Sequence, residues 1–547
     1  MSANKVNSND YQSLASSSKK NGAINGDIST LKPLSKNRPT TEEQEVNSLT
    51  GLVNPFQKIE QPAPELPTIL QVKPIETVVS KAVSQVVKTE KVAENPKTFA
   101  DEQKQRKLKK ALEKDEKLLN SDRWITRNGH SLTYVGIFLF SLVVYFRPYE
   151  WIPGFESFTS IAMILAIATL LIYLPTQLST EGNVTILTTE VKCVLFLIFW
   201  SLLTMPIAKD PTLAWTTFNE TFSKIMLMFI VMVNTLRTKE RLKGLMWLSL
   251  GIGVMLSWEA LRLYQEGKFA VEDYRVGVDF GGMFGNPNDL ALHLVMFTPI
   301  AIALGLISKN KLGKLVYFGA ATIMVMANFV TQSRGGFLGL IAISIALVWK
   351  FGKKNRVLVF GIAIVVGILV ISLAPGNYWM RILSIFNPAL DAVGSSNQRQ
   401  ELLERSIQVT LRNPLGIGLG NFPVVGVHNL QTHNAFTQVS SELGWFGLVA
   451  YLILLISPLR KLAALERQMF SKSDSSWIYY LAIGIQISII GYMVSSFFVS
   501  VAYQWFVYYP IAYAVCLRRI YNIQQQEKGE PIIDESSLTK YFKLQKT

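Results

Sequence analysis

The chain has 547 residues, a formal charge of +15 and 49% hydrophobic residues. The apolar residues gather into repeated runs near the ~20 residues that cross a ~30 Å hydrocarbon layer, which excludes an ordinary soluble enzyme. Lys and Arg cluster in the short loops between those runs, where they set membrane orientation, so nucleic acid is not an expected partner.

Residues 1–100 are rich in Ser, Asn, Thr, Lys, Pro and Gln and poor in aromatics. Such a segment buries too little apolar surface to offset its ordering entropy, so a disordered tail is expected, on the cytoplasmic side by the charge argument below. Residues 101–127 change character: 101–121 hold no Gly or Pro and many mixed charges, which predicts a juxtamembrane helix. Lys104, Arg106, Lys107, Lys109 and Lys110 suit an anionic leaflet, and a solvated linker suits the same residues equally. The first apolar run begins near residue 132, so no secretory signal peptide is expected at the start.

Twelve apolar segments follow, near 132–146, 158–175, 191–207, 222–236, 242–261, 289–307, 315–332, 336–349, 357–374, 435–457, 477–497 and 501–517. Backbone in lipid must satisfy its own hydrogen bonds, so these are expected to be helices of an all-α polytopic membrane protein with about 12 spans over 132–520. Cys193 and Cys516 both lie inside such runs, which leaves a disulfide framework or thiolate metal site unsupported. The basic loops 237–243, 308–314, 350–356 and 460–472, together with Arg518 and Arg519, all fall on the side of the basic tail. Positive-inside makes that side cytoplasmic, with a short cytoplasmic C-terminal tail over 521–547. The loop 176–189 holds no Lys or Arg and is silent. The opposite side receives the long loop 375–434, which is expected to be partly helical and ordered.

The residues that carry chemistry lie on that far side. His433 and Asn434 stand at the entry of the tenth span, where Asn is a good helix N-cap. His433 there suits a general base, and it suits equally a histidine that anchors an interface loop. Arginines away from the cytoplasm are unexpected, and three regions hold them: Arg275 in DYRVGVDFGGMFGNPNDLA, Arg334 in TQSRGGFLGL, and Arg399, Arg405 and Arg412 on an amphipathic helix over 396–422. Such an arginine pairs with a carboxylate or grips phosphate bidentately, and few acids are available near Arg334. Gly335 and Gly336 beside it would let backbone approach a ligand closely. His293, one turn into the sixth span, is read as a satisfied structural histidine. Glu442 is read as compensating a helix dipole rather than orienting His433. GIGLGN at 416–421 looks like a dinucleotide fingerprint but lacks its strand and helix, so a turn is expected. No metal or nucleotide motif is present, and no cofactor is expected.

Taken in order, RVGVDFGGMFGNPNDLA around Arg275, TQSRGGFLGL around Arg334, the stretch from Arg399 and HNAFTQVSSELGWFGL from His433 resemble the O-antigen ligase and polymerase superfamily of bacterial envelope glycosyltransferases. The resemblance covers roughly 132–520, and the long tail departs from the short start usual in the family. It implies a GT-C-like fold in the inner membrane and a site on the periplasmic face. It also implies transfer of a glycan from undecaprenyl diphosphate to an acceptor hydroxyl, with inversion and without metal. The acceptor would be lipid A–core, another glycan or a protein side chain. Arg275 and Arg334 would hold the diphosphate and His433 would take the proton, with Arg399 and Asn434 as further substrate contacts. A small-anion transporter predicts inverted repeats and mid-membrane charges, neither of which is evident. A scaffold role would leave the outer arginines unexplained.

Overall fold

A computed structural model describes residues 128–146, 161–271, 274–279, 284–352, 395–470 and 477–527, with isolated positions 357, 361 and 383. The chain divides into two units, 1–96 and 97–547. All of the first unit, and the expected juxtamembrane helix, lie outside the described residues.

The described part of the second unit is helical, and among the described residues only two isolated bridges, Val271 with Arg275 and Val278 with Phe284, have β character. The helices are α1 (Asn128–Phe146), α2 (Ile161–Glu181), α3 (Thr189–Thr204), α4 (Pro211–Thr217), α5 (Ser223–Thr235), α6 (Lys239–Gln265), α7 (Pro287–Ile307), α8 (Lys311–Val330) and α9 (Arg334–Phe351). After these come α10 (Ser395–Arg412), a single turn at Phe422–Val425, α11 (Ala435–Met469), α12 (Trp477–Ser495) and α13 (Trp505–Glu527). Among the described residues, nine helices are long and apolar enough to cross a membrane: α1, α2, α3, α6, α7, α8, α9, α11 and α12, two of them with a short 3-10 extension.

Two expected spans exist as helices without meeting that measure. The fourth is interrupted: α4 runs into a π-helical turn at Phe218–Phe222 before α5, so the helical path is longer than α5 alone. The twelfth, α13, carries Tyr508, Tyr509 and Tyr513 before Arg518 and Arg519, which dilutes its hydropathy, and it continues to Glu527. The expected span 357–374 falls outside the described residues, apart from positions 357 and 361.

Polar side chains within the helices are largely satisfied by their own turn. Thr169, Thr176, Ser249 and Thr298 donate to the carbonyls four residues earlier, at 2.6–3.2 Å. The core is centred on α7, whose residues from Leu290 to Ala301 are all buried, with α12, α8, α9 and α6 packed around it. His293 sits there fully buried, with Phe284, Phe297, Phe506 and Tyr145 rings at 4.6–6.0 Å. Aromatic packing holds it there. Neither ring nitrogen has a hydrogen-bond partner among the described residues, so it is not satisfied in the expected sense.

Helix direction sorts the chain into two ends. At one end Glu181 pairs with Arg237 at 3.0 Å and with Arg519. There, too, buried Glu190 takes Arg518 at 3.0 Å, Lys461 at 3.3 Å and the Ser457 hydroxyl at 2.9 Å. Lys350 meets Glu466 at 2.5 Å at the same end. The loop after α2, silent in its lack of basic residues, therefore sits with the basic loops through its acids. The other end carries Arg275, Arg334, Arg399 and His433.

Candidate functional site

Arg334 is the first residue of α9. Ser333 caps that helix by accepting the Gly336 N–H at 3.1 Å, and Gln332 before it has a left-handed φ of 49°. Protein packing requires the two glycines after Arg334. A Cβ on Gly335 would lie 2.8 Å from Phe498 Cβ, and one on Gly336 2.7 Å from Ala291 Cβ. α9 thus starts pressed between α7 and the segment after α12.

Arg275 arrives from the loop between α6 and α7. Its Nε donates to the Thr331 carbonyl at 3.2 Å and its Nη2 to Asn288 Oδ1 at 2.9 Å. The same Asn288 oxygen accepts the Ser333 hydroxyl at 2.9 Å. Val276 N–H donates to Val330 O and Gln332 Nε2 to Tyr274 O, both at 3.3 Å, which fastens this loop to the α8–α9 turn. Asn288 is therefore the bridge that brings Arg275 beside the Ser333–Arg334 pair. Sequence reasoning did not single it out, although it lies within the quoted Arg275 motif. Both arginines are buried.

His433 precedes α11 with a left-handed φ of 53°, and Asn434 caps the helix, accepting from the Phe436 and Thr437 N–H groups at 2.9 and 3.1 Å. The Asn434 side-chain oxygen is thus engaged by its own helix. Thr432, on the other side of His433, bonds Ser500 at 2.9 Å, and Gln438 Oε1 accepts the Ala502 N–H at 3.2 Å. Residues 498–503 consequently form a strap with Phe498 over Gly335 at the head of α9 and Ser500 on the His433 loop. This strap joins the two halves of the site.

Arg399 lies half-buried in the first turn and a half of α10, close enough to His433 to act on its charge. Burial chiefly, and Arg399 secondarily, lower the His433 pKa from 6.5 to about 4, so the half-buried imidazole is neutral at pH 7. α10 ends at Arg412, short of the expected 422. Asn413 precedes Pro414, and the residue before a proline is disfavoured in helical geometry. Arg405 donates to the Val425 carbonyl at 3.0 Å and Arg412 is exposed. Neither Arg405 nor Arg412 is tied to the Arg275–Arg334 pair by a hydrogen bond described above. The side chain of His428 lies outside the described residues.

Glu442 does not compensate the α11 dipole and does not touch His433. It is fully buried, and its carboxylate accepts the Gly420 N–H at 2.9 Å and the Phe422 N–H at 3.4 Å. GIGLGN is the turn expected, with Gly416, Gly418 and Gly420 all at positive φ. Among the described residues no three His, Cys, Asp or Glu side chains gather closely enough to hold a metal ion.

The comparisons with known proteins bear on this end of the bundle. Residues 319–452 match the family model described as O-antigen ligase. The match spans Arg334, Arg399, His433 and Asn434, and Arg275 precedes it. A search of curated proteins gives no match. The family match supports the O-antigen ligase and polymerase superfamily, and with it glycan transfer of the ligase or polymerase type by a multi-pass membrane protein.

Proposed function

We propose that this chain, through the O-antigen ligase domain it carries, moves a glycan from undecaprenyl diphosphate to an acceptor hydroxyl on the periplasmic face of a bacterial inner membrane. The observation that carries the reading is the joining of Arg275 to Ser333–Arg334 through Asn288, and of α9 to the His433 loop through the 498–503 strap. Cationic and basic groups far apart in sequence share one end of the bundle. The paired basic loops at the opposite end suit the cytoplasmic side. The full set of spans is then twelve, in a GT-C-like arrangement.

In this mechanism His433, neutral at pH 7, accepts the acceptor's hydroxyl proton on a ring nitrogen. The hydroxyl oxygen bonds to the anomeric carbon from the face opposite the diphosphate. The carbon–oxygen bond to the diphosphate breaks, its electron pair stays on the phosphate oxygen, and the configuration inverts. Arg275 and Arg334 neutralise the charge gathered there, with no metal required. Arg399 holds His433 in its neutral form by opposing a second positive charge nearby. Lipid A–core and a second lipid-linked glycan are the acceptors this family suggests.

The test is His433→Ala and Arg334→Ala, separately, in a strain lacking the wild-type protein, with membrane levels checked by immunoblot. Both variants should accumulate lipid-linked glycan and form no transferred product. Accumulated single repeats would mark a polymerase and long unattached chains a ligase. Normal surface glycan from both variants would overturn the assignment.

A further inference from the structure

Helix α11 is two helices joined end to end. Gly444 has φ 68° and ψ −167°, outside helical geometry, so the carbonyls just before it need donors from elsewhere. Ser441 O accepts the Ile417 N–H and Glu442 O the Gly418 N–H, both at 3.0 Å, while Leu443 O accepts Trp200 Nε1 at 2.8 Å. In return the Trp445 N–H donates to Pro414 O at 3.0 Å. The Gly-rich turn after α10 is therefore plugged into the break in α11.

The fit admits no side chain at the contact. A Cβ on Gly416 would come within 2.3 Å of Glu442 O, and one on Gly444 within 2.2 Å of Pro414 O. Glu442 then closes the joint with its carboxylate on Gly420 and Phe422, and Thr410 on α10 bonds Ser440 on α11 at 2.9 Å. The Tyr503 hydroxyl, from the strap that also holds Thr432, lies beside Glu442 as well. α10 carries Arg399 and His433 stands just before the α11 cap, so this joint fixes one relative to the other.

We propose that Glu442 is a positioning residue for glycan transfer, a clasp whose loss lets the α10 arm drift and separates Arg399 from His433. The proposal rests on the functional reading above. A glutamine would not replace it: both oxygens accept N–H donors, so an amide NH2 would face a donor on one side.

The experiment uses the full chain in lipid nanodiscs, with Glu442→Ala, Glu442→Gln and the milder Thr410→Val, which cuts the Thr410–Ser440 bond at nearly equal volume. Correct folding is checked by monodisperse gel filtration. Glu442→Ala and Glu442→Gln should lower kcat about 10- to 100-fold with little change in KM for the lipid-linked donor. The acid limb of the rate profile should move up from pH 4 toward 6.5, as in Arg399→Ala, and Thr410→Val should move it less. Glu442→Ala should add no further shift in an Arg399→Ala background. An unmoved limb in the folded variants, or a fully additive shift in the double variant, would overturn the proposal. The pH dependence of His433 modification by diethyl pyrocarbonate reads the same coupling without catalysis. If His433→Ala keeps wild-type transfer, the functional reading fails, and the clasp is still judged by that modification profile.

Discussion

The two ends of the helical bundle fasten their helices with different contacts. At one end carboxylates pair with cations: the buried Glu190 with Arg518 and Lys461, Glu181 with Arg237 and Arg519, and Glu466 with Lys350. At the other, Arg275 donates to the Asn288 amide oxygen and the Thr331 carbonyl, and the Ser333 hydroxyl shares that amide. Ion pairing spends a cation on structure, because the carboxylate that stabilises it also cancels its field. One amide oxygen that accepts from both Arg275 and Ser333 instead fixes the guanidinium against the head of α9. The difference teaches what each end is built to hold: helix against helix at the first, an arginine against the start of a helix at the second.

The comparison breaks most sharply at His433. His433→Ala should lower the transfer rate about 10²- to 10⁴-fold, the usual worth of a general base, with donor binding little affected. A purified-enzyme assay against lipid-linked glycan reads this, and a loss under 10-fold would leave His433 as a loop anchor. Arg334→Ala follows at about 10²- to 10³-fold. Arg334→Lys should restore little of it, since a point charge lacks the two-pronged donor geometry. Full rescue by Lys would mean that charge alone matters at the head of α9.

The same two ends show how much the sequence could tell. The helical runs were legible because hydropathy is local: a window of about 20 residues contains all the information needed to place a span. The His433–Asn434 entry was legible for the same reason, since an N-cap acts within its own first turn. The amphipathic helix was overrun to 422, though Asn413–Pro414 was there to stop it at Arg412. What stayed hidden is long-range. Asn288 meets Ser333 across 45 residues, Glu442 meets Gly420 across 22, and Glu190 meets Arg518 across 328. No periodicity records such a pairing. The break at Gly444 was hidden because a glycine inside an apolar run is common in membrane helices, and only its φ and ψ mark the interruption.

At the paired end the expected effect is on stability. Arg518→Ala removes one partner of a fully buried carboxylate, a change that typically costs about 3–5 kcal/mol. Glu190 keeps Lys461 at 3.3 Å, so the lower figure, about 3 kcal/mol, is expected. Thermal unfolding in nanodiscs would read the loss, and the pH–rate profile of the surviving protein should not move. A variant with unchanged stability and an altered profile would show that the two ends are coupled rather than divided between structure and chemistry.

The smallest effect discriminates best. His433 has its pKa lowered from 6.5 to about 4, by burial first and by Arg399 second. The base form is therefore complete at pH 6, and kcat/KM should rise through about pH 4 rather than through 6.5. Arg399→Ala removes the smaller cause, so the acid limb should move up only part of that distance, with burial still holding the remainder. Stability carries the same sign. The unfolded imidazole takes its proton near pH 6.5 and the folded one only near 4, so the unfolded state binds more protons between those values. His433 thus costs nothing above pH 6.5, and its penalty grows as pH falls toward 4 and levels below it. His433→Ala should flatten that part of the unfolding curve, and Arg399→Ala should narrow the window from its acid side. A wild-type limb at pH 6.5 that ignores Arg399 would place His433 in water, apart from the α10 arginine.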